Sequence, residues 1–166
     1  MKKTRKTTNV LFYGIGGQGV LTAAEVCALA AMIDGYHVKK SEVKGMAQRG
    51  GSVESYVRFG ERVHSPLPLS NDCDVIVCLH KQEYPRLKDE VKPKGKDLVP
   101  YLEKAQKAVG EKKLFLNTYM LGVLSAFLDI REESWLWALD QKFKKEQQQN
   151  RKFFLSGREE GQRHDL

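Results

Sequence analysis

The stretch VLFYGIGGQGVLTAAEVCALAAMIDG, residues 10–35, decides how the chain reads. An apolar run from Val10 to Tyr13 leads straight into GIGGQG, and the residues after it are Ala, Leu, Val and Ile on nearly every side, interrupted mainly by Thr22 and Glu25. Apolar run, glycine turn and apolar helix form a strand–turn–helix unit. A helix apolar almost all round lies buried against a sheet, and Gly35 closes it as a C-terminal cap. Gly14, Gly16 and Gly19 satisfy G-x-G-x-x-G, a turn whose backbone amides hold a phosphate at a helix N-terminus. A tight turn without any ligand needs the same glycines, so the motif alone leaves both readings open.

Outward from this unit, residues 36–42 read as a second strand, followed by KGMAQRGGS (44–52), a loop without apolar periodicity. Val53, Ser55, Val57 and Phe59 then alternate with Glu54, Tyr56 and Arg58, and residues 60–62 lead into 63–65. This pattern predicts a β-hairpin whose second arm ends at Pro66 and Pro68. Residues 74–79 read as a strand covered on both faces. Beyond it come a charged helix over 81–90, a turn at 93–95 and a helix over 99–109. Asn117 or Thr118 is expected to cap a buried helix, and residues 132–149 a last amphipathic helix with Trp135, Leu136, Leu139 and Phe143 on one face. The whole predicts one α/β domain over 1–166, a three-layer sandwich with a mostly parallel sheet, a hairpin and a Rossmann-like glycine loop after the first strand.

Composition narrows the function. At 166 residues the chain can bury a core without staples, and with 41% hydrophobic and 30% charged residues it is neither disordered nor membrane-spanning. The net charge of +7 is dispersed, which argues against a nucleic-acid face. The basic start leads into an apolar run of only four residues before the glycine loop, unlike a secretory signal, so the cytoplasm is expected. Cys27, Cys73 and Cys78 lie in apolar segments without a CxxC, so they are expected to pack and not to hold an iron–sulfur cluster or zinc. His64 and His80 have no second ligand at metal spacing.

The loop at 44–52 concentrates donors suited to phosphate or carboxylate, Lys44, Gln48, Arg49 and Ser52, together with the flexible glycines Gly45 and Gly50-Gly51. Arg49 either contacts such an anion or braces its own loop by pairing with Glu42. Glu42 also stands near the place of a dinucleotide-binding acid, though a salt bridge to Arg49 or Lys44 is an equal use of it.

Together, GIGGQGVLTAAEV, KKSEVKGMAQRGGSVESYVRFG and the SPL at 65–67 resemble the gamma subunit of 2-oxoacid:ferredoxin oxidoreductases, in particular the small subunit of indolepyruvate oxidoreductase. Ser41 to Val53 meet S-E-V-x-G-M-x-Q-R-G-G-S-V. Downstream, Glu83 with Arg86, Asn117 with Leu121-Gly122, and Asn150, Phe154 and Gly157 fit further family patterns. Lys44 and Tyr56 stand where that branch has His, and His80 replaces a common Glu. The segment 91–99 is shorter than in the family, which places a strand there.

The resemblance implies an enzyme complex that uses thiamine diphosphate to decarboxylate a 2-oxoacid, passes electrons through iron–sulfur clusters to ferredoxin and transfers the acyl group to coenzyme A. It implies that this chain holds none of these cofactors alone. Thiamine diphosphate, magnesium and the clusters sit on partner subunits, against which the chain packs. Its own contribution is to help bind coenzyme A through Gly14, Gly16, Gly17, Gln18, Gly19, Ser41, Glu42, Gly45, Met46, Gln48, Arg49, Gly50, Gly51 and Ser52, with no catalytic residue. An interface kept bare predicts that the isolated chain self-associates. The alternatives are a self-contained NAD-binding Rossmann oxidoreductase and a scaffold without activity.

Overall fold

A computed structural model describes residues 5–44 and 51–163. The first unit is as read: β1 (Thr8–Ile15), a glycine turn, and α1 (Val20–Ile33). Gly35, with φ +94°, ends α1 in a Schellman motif, its N–H donating to Met32 O and that of Tyr36 to Ala31 O. Next come β2 (His37–Lys44), β3 (Ser52–Gly60) and β4 (Cys73–Cys78). The sheet order is β2-β3-β1-β4-β5, with β5 (Val91–Asp97) at one edge. All strands but β3 run the same way, so the sheet is mostly parallel with one reversed strand.

The hairpin is not the one the pattern suggested. β3 pairs back onto β2 and on its other side with β1, leaving no edge for residues 63–65. That segment takes irregular backbone and lies across the sheet. Residues 93–95 are likewise not a turn but part of β5. Pro93 is tolerated because β5 is an edge strand. Gly95 is required where the β4–β5 register slips, since a Cβ there would come within 2.9 Å of both Cys73 O and Asp74 O. The segment expected from the resemblance to be short therefore still supplies a strand.

Strand register separates two faces. Val10, Phe12, Val57, Phe59, Val75 and Val77 share one, on which α1 packs against β1, β2 and β3. Beside α1 on this face lies α4 (Leu116–Ser125), reached through α3 (Pro100–Val109). α5 (Glu132–Lys142) packs on α1, and α6 (Gln147–Arg163) on α4. The opposite face carries Asn9, Leu11, Tyr13, Glu54, Tyr56 and Arg58. Its cover is thin. The stretch 81–90 is not one helix but two 3-10 turns around a single turn of α-helix, α2 (Tyr84–Leu87).

Two further expectations are revised at the C-terminal end. Asn117 and Thr118 lie inside the first turn of α4 and do not cap it. The helix foreseen over 132–149 is two helices, because Phe143 is extended and Glu146 adopts φ +58°. Asn150 fastens the second to the core: its Oδ1 accepts from Thr118 Oγ1 at 2.8 Å and its Nδ2 donates to Glu146 O at 3.1 Å. α4 and α6 then touch backbone to backbone at Gly122, Gly157 and Gly161, where no side chain holds them apart.

Candidate functional site

The glycine turn sits where the C-terminal end of β1 enters α1, and most of its bonds define a rigid shape. Gln18 spans it, accepting at Oε1 from Ile15 N–H (3.0 Å) and donating from Nε2 to Leu79 O (2.8 Å). A side chain at Gly14 would press on this bridge, since a Cβ would stand 2.7 Å from Gln18 Oε1. Gly17 and Gly19 take φ of +89° and +79°, the left-handed region glycine favours. Asn117, from α4, locks the end of the turn by donating from Nδ2 to Gly19 O at 3.3 Å.

The turn leaves several amides over. The N–H groups of Gly17, Gly19, Val20 and Leu21 have no partner among the described residues, as expected for the start of a helix. A Cβ at Gly17 would meet nothing within 4 Å. Two clefts open beside it. One, of about 270 Å³, is lined by Gly16, Gly17, Gly19, Leu21, Thr22 and Val53. The other, of about 640 Å³, runs from Gly17 and Gln18 to Gln106, Gly110, Lys113 and Leu114. Sequence reading passed over Gln106 and Lys113, which stand on segments with no motif of their own.

The second donor loop meets this turn at its C-terminal end. Gly16 N–H donates to Gly51 O at 3.0 Å. Ser52 Oγ donates a short hydrogen bond to Glu83 Oε1, and Arg86 clasps Glu83 (3.1 Å from Nε) and Glu54 through a close ion pair. Glu83 and Arg86 thus act from beyond β4 as an anchor for the root of the loop. The Ser52 hydrogen bond, with the Arg86 charge behind it, holds the Glu83 carboxyl below the usual value of 4.5. Gly45, Met46, Gln48, Arg49 and Gly50 lie outside the described residues.

Ser41 and Glu42 are not brought to the turn. Ser41 faces the thinly covered side and donates to Pro66 O at 3.0 Å. Glu42 points to the α1 side, where Lys40 pairs with it at 2.6 Å. β3 separates β2 from β1, so Glu42 stands about 10 Å, two strand spacings, from the strand that carries the glycines. The dinucleotide arrangement, with its acid on a strand next to β1, is not formed here.

All three thiols are buried and free, as the packing reading expected. Burial pushes Cys27 and Cys78 up, and burial with Glu90, Asp74 and Asp72 nearby pushes Cys73 up to about 12. None is a thiolate at neutral pH. Among the described residues no helix is long and apolar enough to cross a membrane.

Residues 9–103 match the family model described as pyruvate ferredoxin/flavodoxin oxidoreductase. The chain belongs to this family. It is 43% identical over 90 residues to the indolepyruvate oxidoreductase subunit IorB of Thermococcus kodakarensis, a stretch covering 54% of this chain and 45% of that protein. To the same subunit of Archaeoglobus fulgidus it is 47% identical over 75 residues, covering 45% of this chain and 37% of that one. The matched stretch thus spans under half the length of these relatives. Among solved structures, the pyruvate oxidoreductase subunit PORC of Thermotoga maritima superposes with a TM-score of 0.75 at 19% identity, over 95% of this chain and 97% of that one. A 2-oxoglutarate:ferredoxin oxidoreductase from Magnetococcus marinus, solved with 2-oxoglutarate, coenzyme A and succinyl-CoA bound, reaches 0.80 at 20% identity, covering 98% of this chain and 32% of that one. At such identity these structures establish the α/β fold.

Proposed function

We propose that this family member is the cluster-free subunit of a thiamine diphosphate-dependent 2-oxoacid:ferredoxin oxidoreductase of the indolepyruvate or pyruvate kind. It packs on the thiamine-binding subunit in the cytoplasm and holds the nucleotide end of coenzyme A. The observation that carries this is the set of uncommitted amides at the start of α1, presented beside Gly17 at the mouths of two clefts. Such amides suit a pyrophosphate, and the open space at Gly17 lets the anion approach the backbone. A bound coenzyme A would supply the thiol that takes the acyl group. This chain's residues would grip its phosphates and orient it, while partner subunits hold the thiamine, magnesium and clusters. With Glu42 drawn to Lys40 and set two strands from β1, the rival NAD reading lacks its ribose contact.

The test is a coenzyme A titration of the assembled complex. Thr22 lines the smaller cleft in the first turn of α1. An acid at Thr22 suits the helix N-terminus, so Thr22→Asp should keep the fold while repelling a phosphate. The expected result is coenzyme A affinity weakened about tenfold, with the 2-oxoacid KM and the melting temperature nearly unchanged. Arg49→Ala should cost coenzyme A binding about 1.5–3 kcal/mol, as for a charged hydrogen bond. Wild-type coenzyme A affinity in both variants would remove the ligand role, and a joint loss of melting temperature and both substrates would make Arg49 a loop brace.

A further inference from the structure

The carbonyl of Gly19 ends the glycine turn and opens α1, and it accepts two hydrogen bonds. One is the first of the helix, from Ala23 N–H at 2.9 Å. The other comes from Asn117 Nδ2 on α4, 98 residues along the chain, at 3.3 Å. Asn117 is only 5% exposed, and its amide is held in this sense because its Oδ1 accepts from Thr118 N–H at 2.9 Å. It also lies directly against Gly19. A Cβ there would fall on Asn117 Nδ2, so the two residues meet only because one is glycine.

This bond fixes the direction of the next amide. Gly19 C=O and Val20 N–H share one peptide plane, and in a trans peptide they point opposite ways. A carbonyl drawn toward α4 therefore turns Val20 N–H away from α4. That N–H has no partner among the described residues, although Val20 is 2% exposed, and Val20 lines the cleft of about 270 Å³ beside Gly17. An enclosed donor left unpaired is costly, and an acceptor entering the cleft would remove that cost.

We propose that Asn117 is a positioning residue for the coenzyme. Resting on the function proposed above, it aims Val20 N–H at the pyrophosphate of coenzyme A by holding the opposite end of the same peptide. The group it serves is the diphosphate and not the thiol arm.

The experiment measures affinities in the assembled complex for coenzyme A, for ADP, which carries a diphosphate, and for pantetheine, which carries no phosphate. Asn117→Leu removes the donor at nearly constant shape, and Asn117→Ala removes it with a loss of volume. Asn150→Ala breaks the bond to Thr118 and loosens the same helix pair without touching Gly19. Both Asn117 variants should bind coenzyme A and ADP about tenfold more weakly, with pantetheine affinity and the 2-oxoacid KM unchanged. Asn150→Ala should lower the melting temperature and leave coenzyme A affinity alone. In the wild type, coenzyme A should slow hydrogen exchange at the Val20 amide, a readout that needs no variant to fold. If Asn117→Leu binds coenzyme A like the wild type, or exchange at Val20 does not change, the positioning role is overturned while the coenzyme reading stands. If coenzyme A, pantetheine and 2-oxoacid weaken together, and Asn150→Ala does the same, Asn117 is a structural support and the proposal is overturned. If the wild-type complex binds no coenzyme A, both fall.

Discussion

Gly157→Ala is expected to lower the melting temperature by roughly 10 °C, from a loss of about 3 kcal/mol. The cause is contact between main chains. A Cβ at Gly157 would stand 3.0 Å from Tyr119 C and closer still to Tyr119 O, and both belong to α4. No rotamer change relieves a clash with backbone, so α6 must back away from the helix on which it is packed. Gly122 makes the reciprocal approach, its would-be Cβ lying 2.8 Å from Arg158 N and 2.9 Å from Phe154 C, so Gly122→Ala should behave alike. Ser156→Ala, at an exposed position on the same helix, serves as control and should leave the melt within about 1 °C. Thermal unfolding followed by circular dichroism checks this. A Gly157→Ala melt that coincides with the control would mean the helices do not cross here.

Arg86→Ala is expected to cost about 2 kcal/mol at neutral pH and much less in acid. Arg86 holds Glu54 and Glu83, whose side chains are 12% and 16% exposed, so removing it strands two carboxylates in a partly dry place. Arg86 itself is about half exposed, and solvent screening brings the cost below that of a fully buried pair. The pH dependence follows from Glu83, whose carboxyl is held below 4.5 first by Ser52 and then by Arg86. A depressed carboxyl adds stability above its unfolded value, and that contribution disappears as pH falls through the lower folded value. The gap between wild type and variant should therefore be full at pH 7 and narrow below about pH 4.5. Urea unfolding across this range measures it, and a gap that is constant with pH would show that Arg86 acts by packing alone. Because the same carboxyl anchors Ser52, the variant should also loosen the root of the 44–52 loop and weaken coenzyme A binding in the assembled complex.

Much of the fold was legible because it is written locally. Val10 to Gly35 could be read residue by residue: the apolar run, the glycines at positive φ and the Gly35 cap each depend on near neighbours. The site was legible in part. Gly16, Gly17 and Gln18 were singled out and do line the clefts, and Gly51 does meet Gly16. Ser41 and Glu42 sit in the same run of motif residues, but β-strand alternation sends their side chains to opposite faces, one to Pro66 and the other to Lys40. Residues matched only as a late pattern, Asn117, Asn150 and Gly157, have work that no local rule reveals, since each partner is distant in the chain.

By itself the sequence determined the elements and their buried sides, because helix and strand periodicity, glycine at positive φ and apolar runs are short-range consequences of side-chain size and backbone sterics. Only the tertiary structure decided which strand lies beside which. Every strand offers the same N–H and C=O edge, so nothing local marks β3 as the neighbour of both β1 and β2 in place of a hairpin with residues 63–65. That choice displaced Glu42 from the glycine turn and freed residues 63–69 to lie over the sheet. It also set Glu83 and Arg86 against Ser52 and Glu54, across β1 and some thirty residues away along the chain.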